Sequence, residues 1–227
     1  MAFSDDLTDL LTTGLRLRLH DSFLSSGAWS STVSQTGAAT FALAHLKAST
    51  GIQQGSVARP YYTRNVFNPL YGKLRIKLRL NEAASTFFFM GFKHTAAAPS
   101  WHMTESHVGI MLYQGTLYLT TGNGDPSYPA FQVTAIPSFS MSDWHVYEIA
   151  ATSFRYWTVP CTVPYFDANV LPSLKEGMIR KWSPWYRNLN TLPDDTVHYL
   201  VLHVENLVGS TRYCEAEFID YQEVYPD

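Results

Sequence analysis

Residues 73–80 read KLRIKLRL, so that Leu74, Ile76, Leu78 and Leu80 alternate strictly with Lys73, Arg75, Lys77 and Arg79. A period of two is that of a β-strand with one buried face, because successive side chains leave a strand on opposite sides. LRLRLH at 15–20 repeats the pattern. Both strands carry a basic outer face, read as a solvated sheet surface with an anionic-ligand site as the alternative. The runs TFFFMGF at 86–92, HVGIMLY at 107–113 and TLYLTTG at 116–122 are dense in aromatic and β-branched residues, which suit a pleated, half-buried surface. Gln114-Gly115 between the last two is a two-residue hairpin turn, with Gly able to take positive φ. Further strands are expected in WHVYEIA at 144–150, VHYLVLHVENL at 197–207 and CEAEFIDYQEVY at 214–225. Short strands separated by turn-rich stretches such as TGNGDPSYP at 121–129 specify an all-β antiparallel sandwich or barrel.

Helical spacing is confined to two short segments. Ser4 is a capping residue ahead of Asp5 and Asp6 in 4–13, and Leu171, Leu174 and Met178 recur at intervals of three and four in 165–180. The 227 residues suit one domain, 1–227, with an N-terminal arm at 1–14 and a long loop insertion at 158–196. A hydrophobic share of 46% against 15% charged residues supports a large core. The net charge of -3 lacks the basic excess that phosphate contacts demand, so nucleic acid is not an expected partner. No apolar run approaches the roughly 20 residues of a membrane-spanning helix, and MAFSDDLTDLLTTG carries acids where a secretory signal carries Lys or Arg. For Cys161 and Cys214, a bridge and free buried thiols both stand open.

Several chemistries find little foothold. His102, Glu105 and His107 in WHMTESH are conceivable zinc ligands, but the stretch follows Pro99 and runs into a strand instead of presenting them on a helix. There is no G-x-S-x-G elbow to expose a serine nucleophile, and GNGD at 122–125 lacks the following helix that a phosphate loop needs. His145, His198 and His203 fall in strands, where they are expected to face outward. In the loop insertion Trp182, Trp185 and Tyr186, with Arg187 beside them, form a candidate ligand-binding cluster. Aromatic faces stack on sugar rings, while Trp, Tyr and Arg equally anchor protein interfaces or close the end of a sandwich.

The ending EFIDYQEVY, the segment DWHVYEIAATSFRYW at 143–157 and YGKLRIKLRL at 71–80 resemble, in order, strands of the concanavalin A-like lectin and glucanase superfamily, the laminarinase and licheninase type included. The resemblance implies a jelly roll of two antiparallel sheets. It also implies a possible structural Ca²⁺ held by Asp220 with backbone carbonyls near the N-terminus, the other reading being an Asp bonded to a turn. Retaining glucanases of the group carry Glu-x-Asp-x-x-Glu on one strand, since nucleophile and acid must stand about 5 Å apart. No such motif occurs here. Glu215, Glu217 and Asp220 come nearest, and Asp220 faces away from the two glutamates unless a bulge intervenes. The expectation is therefore a non-enzymatic attachment module that binds a glycan or a neighbouring subunit. Its expected setting is a phage virion surface, decoration or tail protein, oligomeric or particle-associated, cytoplasmic before assembly. The alternative is a carbohydrate-active enzyme with an unrecognised carboxylate pair.

Overall fold

The computed structural model describes residues 15–23, 27–42, 45–101, 103–124, 131–136, 141–150, 153–158, 186–188 and 192–224. The helices expected at 4–13 and 165–180, the N-terminal arm and most of the 158–196 insertion lie outside these residues. The described chain contains fifteen strands and no helix. They are β1 (Leu15–Asp21), β2 (Trp29–Val33), β3 (Ala38–Ala42), β4 (His45–Ser49), β5 (Val57–Tyr62), β6 (Gly72–Leu80), β7 (Thr86–Lys93), β8 (Ser106–Tyr113), β9 (Thr116–Asn123), β10 (Phe131–Ile136), β11 (His145–Ala150), β12 (Ser153–Thr158), β13 (Tyr186–Arg187), β14 (Tyr199–Asn206) and β15 (Tyr213–Val224). Sheet A runs β13-β12-β11-β6-β15-β4-β3 with β1 also on β15, and sheet B runs β10-β9-β8-β7-β14-β5-β2. Neighbours pair antiparallel, as in β6 with β15 and β7 with β8. The expected two-sheet antiparallel sandwich is the fold.

Alternation decides what fills the space between the sheets. Leu74, Ile76, Leu78 and Leu80 of β6 are all fully buried and pack with Phe88, Met90 and Phe92 of β7, Val108, Ile110 and Leu112 of β8, and Leu200, Leu202 and Val204 of β14. At roughly 1.5–3 kcal/mol for each large apolar side chain, this layer is the main stabilising element. Tyr221 joins the two sheets, its ring 4.9 Å from Phe67 and 5.5 Å from Phe92. Between β8 and β9, Tyr113 pairs with Thr116 and the turn residues Gln114 and Gly115 have φ of 49° and 76°. Both angles being positive, this is the twist-matched hairpin turn read from the sequence.

The longest strand, β15, pairs with β6 along one side, and on the other with β4 at first and then with β1. Its register slips between Ala216 and Phe218, leaving Glu217 as an extra residue. Cys214, Ala216, Ile219 and Tyr221 consequently all reach the core. The same bulge brings Asp220, opposite Arg75, onto the face of Glu215, opposite Arg79. Cys214 is a free thiol buried in the core, while Cys161 lies outside the described residues. No helix of the described residues is long and apolar enough to cross a membrane.

Candidate functional site

The two outer faces of the sandwich differ in chemistry. On sheet A the basic residues of β6 are matched by acids on the strands beside them: Arg75 with Glu148, Lys77 with Glu217, and Arg79 with Glu215 at 2.8 Å, which Lys47 also reaches at 3.3 Å. Trp144 closes this ladder, with Lys77 5.2 Å and Arg79 4.8 Å from its ring. The charges answer one another, which favours the solvated-surface reading over an anionic-ligand site.

Sheet B turns outward the alternate residues of its central strands. Phe87 and Phe89 of β7, Met111 of β8 and Val201 of β14 form a second apolar cluster, with Tyr61, Trp101, Tyr113 and Tyr199 packed on it and half-buried. Trp101 stacks on Tyr113 at 4.5 Å and meets Tyr118 edge-on at 4.9 Å. A Cβ on Gly109 would stand 2.5 Å from the Met90 carbonyl oxygen and 2.7 Å from the Phe89 ring, so glycine lets that ring lie across β8. Beside the cluster an open cleft of about 580 Å³ is lined by Ser30, Tyr61, Thr63, Asn65, His94, Thr95, Ala96 and Tyr199. Two tyrosines with hydroxyl, amide and imidazole groups in the same lining are the composition of a polar-ligand site of this size.

Ionisable groups are set into the same face. Lys93 is fully buried, 2.6 Å from Glu105 and donating to the Ala97 carbonyl at 2.7 Å. Burial pulls the Lys93 ammonium below its usual range. Burial alone would raise Glu105, but the bonds from Lys93 and Thr95 outweigh it and hold the carboxyl below the usual range. The His107 Nδ1–H donates to the Glu105 carbonyl at 2.7 Å, and Nε2 accepts from the Thr120 hydroxyl at 2.9 Å. Desolvation lowers the His107 pKa to about 4. Burial likewise lowers His203, whose Nε2 lies 3.5 Å from Glu205. Arg59, half-buried, has an Nε with no hydrogen-bond partner among the described residues, and desolvation lowers its pKa.

Of the residues singled out in the sequence, Trp182, Trp185 and His102 lie outside the described residues. Tyr186 pairs with Phe154 at the edge of sheet A and packs against the core, and the neighbouring Arg187 is exposed. Glu105 and His107 do not converge as zinc ligands, since the Glu105 carboxylate is turned to Lys93 and Thr95 while the His107 Nε2 faces Thr120. His145 does not face outward as expected: it lies opposite Leu78 on the core side of β11, 5.9 Å from the Tyr147 ring, because it shares the parity of Tyr147 and Ile149. The cleft itself was not legible in sequence, since its walls come from positions 30, 61, 94 and 199, and only the aromatic density of β7 to β9 hinted at the face.

No family model matches the chain, and no curated protein does. Solved structures do. A laminarinase catalytic domain from Thermotoga petrophila is 15% identical, with a TM-score of 0.56 over 95% of this chain and all of its own. An endo-acting O-glycanase of the human gut microbiota that initiates mucin breakdown aligns over 91% of this chain and 99% of its own at 14% identity and a TM-score of 0.56. The exoplasmic domain of VIP36 in its Ca²⁺-bound form aligns over 94% of this chain and 93% of its own at 9% identity and a TM-score of 0.59. The fold is concanavalin A-like. At these identities the likeness is one of architecture, and chemistry must come from this chain's own residues.

In this concanavalin A-like sandwich Asp220 does sit beside the N-terminal strand, its register partners being His20 on β1 and Arg75 on β6. The N-terminal backbone carbonyls expected to share a Ca²⁺ with it are carried by the arm at 1–14, outside the described residues.

Proposed function

We propose that the chain is a glycan-binding attachment module without hydrolytic activity, and that the ligand lies on the outer face of sheet B. One observation carries the proposal: the cleft lined by Tyr61 and Tyr199 with Ser30, Thr63, Asn65 and His94 shares those two tyrosines with the apolar cluster on which Trp101 and Tyr113 pack, Tyr118 meeting Trp101 edge-on. Rings grip the apolar faces of sugars, and the rim groups pair with hydroxyls. Support also comes from the structural neighbours, which include a laminarinase, an O-glycanase of mucin breakdown and VIP36 with bound Man3GlcNAc. Against catalysis stand the missing Glu-x-Asp-x-x-Glu motif and the state of Glu105, which is held as a carboxylate by Lys93 and is thus a poor proton donor.

The test is a glycan array followed by calorimetry with the best ligand. Tyr199→Ala and Trp101→Ala are expected to weaken binding tenfold or more, about 1.4 kcal/mol, with an unchanged circular-dichroism spectrum. Incubation with β-glucan or mucin glycans is expected to release no reducing ends, and their release would establish the enzyme reading instead. Should Trp182→Ala and Trp185→Ala lose binding while the sheet B variants keep it, the site belongs to the loop insertion.

The setting we propose is a particle surface, such as a phage virion or tail. Support comes from exposed Ile52 and Val208, 68% and 53% accessible on adjoining loops, which offer an apolar tip to a neighbouring subunit. Stoichiometric co-purification with a larger particle is the expected result.

A further inference from the structure

At the end of sheet B nearest the cleft, three metal-ligating side chains from two loops and a strand edge come together. His94 follows β7, while Asp194 and His198 belong to the segment entering β14. One ligand atom from each lies within 4.8 Å of the other two, and the His198 Nε2 is 3.3 Å from the Asp194 carboxylate. In a tetrahedral site with bonds of about 2.0–2.1 Å, ligand atoms stand about 3.3 Å apart, so the buried His198 and the partly exposed Asp194 already have the right separation. His94 is exposed and needs only a side-chain adjustment to close the third corner.

The supporting groups orient this cluster. The His198 Nδ1–H donates to the Thr196 carbonyl at 2.8 Å, which leaves the lone pair on Nε2, the nitrogen facing Asp194. Such a carbonyl-held tautomer is the usual outer-shell arrangement of a ligating histidine. Nε2 meets the Ser106 hydroxyl at 2.8 Å, and that oxygen in turn accepts the Asp194 backbone N–H at 2.9 Å. Asp194 also accepts from Thr196 Oγ1 at 2.9 Å.

We propose that His94, Asp194 and His198 form a three-ligand site for a borderline divalent transition metal, with Zn²⁺ as the reference ion. Two imidazoles and one carboxylate suit Zn²⁺ over Ca²⁺ or Mg²⁺, and three protein ligands leave a fourth position for water or a ligand oxygen. On binding, Nε2 exchanges the Ser106 hydroxyl proton for the metal, and Ser106 stays as an outer-shell partner of Asp194. His94 lines the cleft as well, so the open position lies at the cleft's end.

The experiment uses the full chain without an affinity tag, treated with chelator and titrated with ZnCl₂ by calorimetry, then with Co²⁺ for the visible spectrum of a low-symmetry His and carboxylate site. One equivalent is expected to bind at about 10 µM or tighter. His94→Ala and Asp194→Asn are each expected to cut the affinity tenfold or more, while the metal-free melting temperature stays unchanged for the exposed His94→Ala. No binding up to about 100 µM Zn²⁺, or affinity retained in either variant, overturns the proposal. The readout is the metal alone and does not depend on any glycan.

Discussion

The outer face of sheet B holds its ionisable residues in states that acid disturbs. His107 is neutral in the fold with a pKa of about 4, against 6.5 when exposed. Its folded value being the lower one, the unfolded chain takes up the proton first. Stability is thus intact above pH 6.5 and is lost as pH falls toward 4, by an amount on the order of 3 kcal/mol. His198 and His203 are lowered by burial as well and act in the same direction. Glu105, held low by Lys93 and Thr95 against its own desolvation, contributes stability that disappears as pH drops below 4.5. The chain is expected to melt earlier as pH falls through this window, and His107→Gln, which cannot ionise there, is expected to flatten the upper part of the profile in thermal scans. Glu105→Gln leaves the Lys93 ammonium buried without its counter-charge and is expected to cost about 3–5 kcal/mol in urea unfolding.

At the level of elements, β15 and the β7–β8 pair set the register of the two sheets. Glu217 is the bulged residue that lets Ala216 and Ile219 both face inward. Deleting it leaves Ala216, Phe218 and Ile219 in unbroken alternation opposite Leu78, Lys77 and Ile76, so the core face of β15 is kept while the buried Lys77 loses its carboxylate partner. A folded protein, destabilised in urea unfolding by about 3–5 kcal/mol, is the expected outcome. The Asp220 side was open in the sequence because a bulge is one residue of backbone slack that alternation alone does not reveal. Gly109→Ala, which drives a Cβ against Met90 and Phe89, is expected to destabilise by about 1–3 kcal/mol in the same assay. The strands of β6, β8 and β9 and the Gln114-Gly115 turn were legible in advance, because each is settled by contacts within a few residues.

For the molecule as a whole, the core is continuous from one sheet to the other and Tyr221 spans it, with its hydroxyl donating to the Asn68 carbonyl at 3.0 Å. Tyr221→Ala is expected to cost about 3–5 kcal/mol, as befits a large ring removed from a closed interior. Cys214 lies in the same interior, where burial pushes its thiol up and keeps it protonated. In a Cys161→Ala background, Ellman's reagent is expected to leave Cys214 unmodified in native protein and to react once denaturant opens the sandwich. A thiol that reacts in native protein would mean that the sheets part readily.

Alternation by itself determined that the chain is all-β, a sandwich or a barrel, and which residues of β6 point inward, because period two is a property of neighbouring residues. The resemblance in three strands pointed to the concanavalin A-like architecture of two stacked sheets that the solved structures bear out. Only the tertiary structure decided that Arg75, Lys77 and Arg79 are answered by acids from β11 and β15, and that Tyr61 and Tyr199 line one cleft. It alone brought His94 to His198, 104 positions apart. Such juxtapositions depend on how distant strands are ordered in a sheet, and strand order is fixed by the summed packing of the whole core, which no local pattern records.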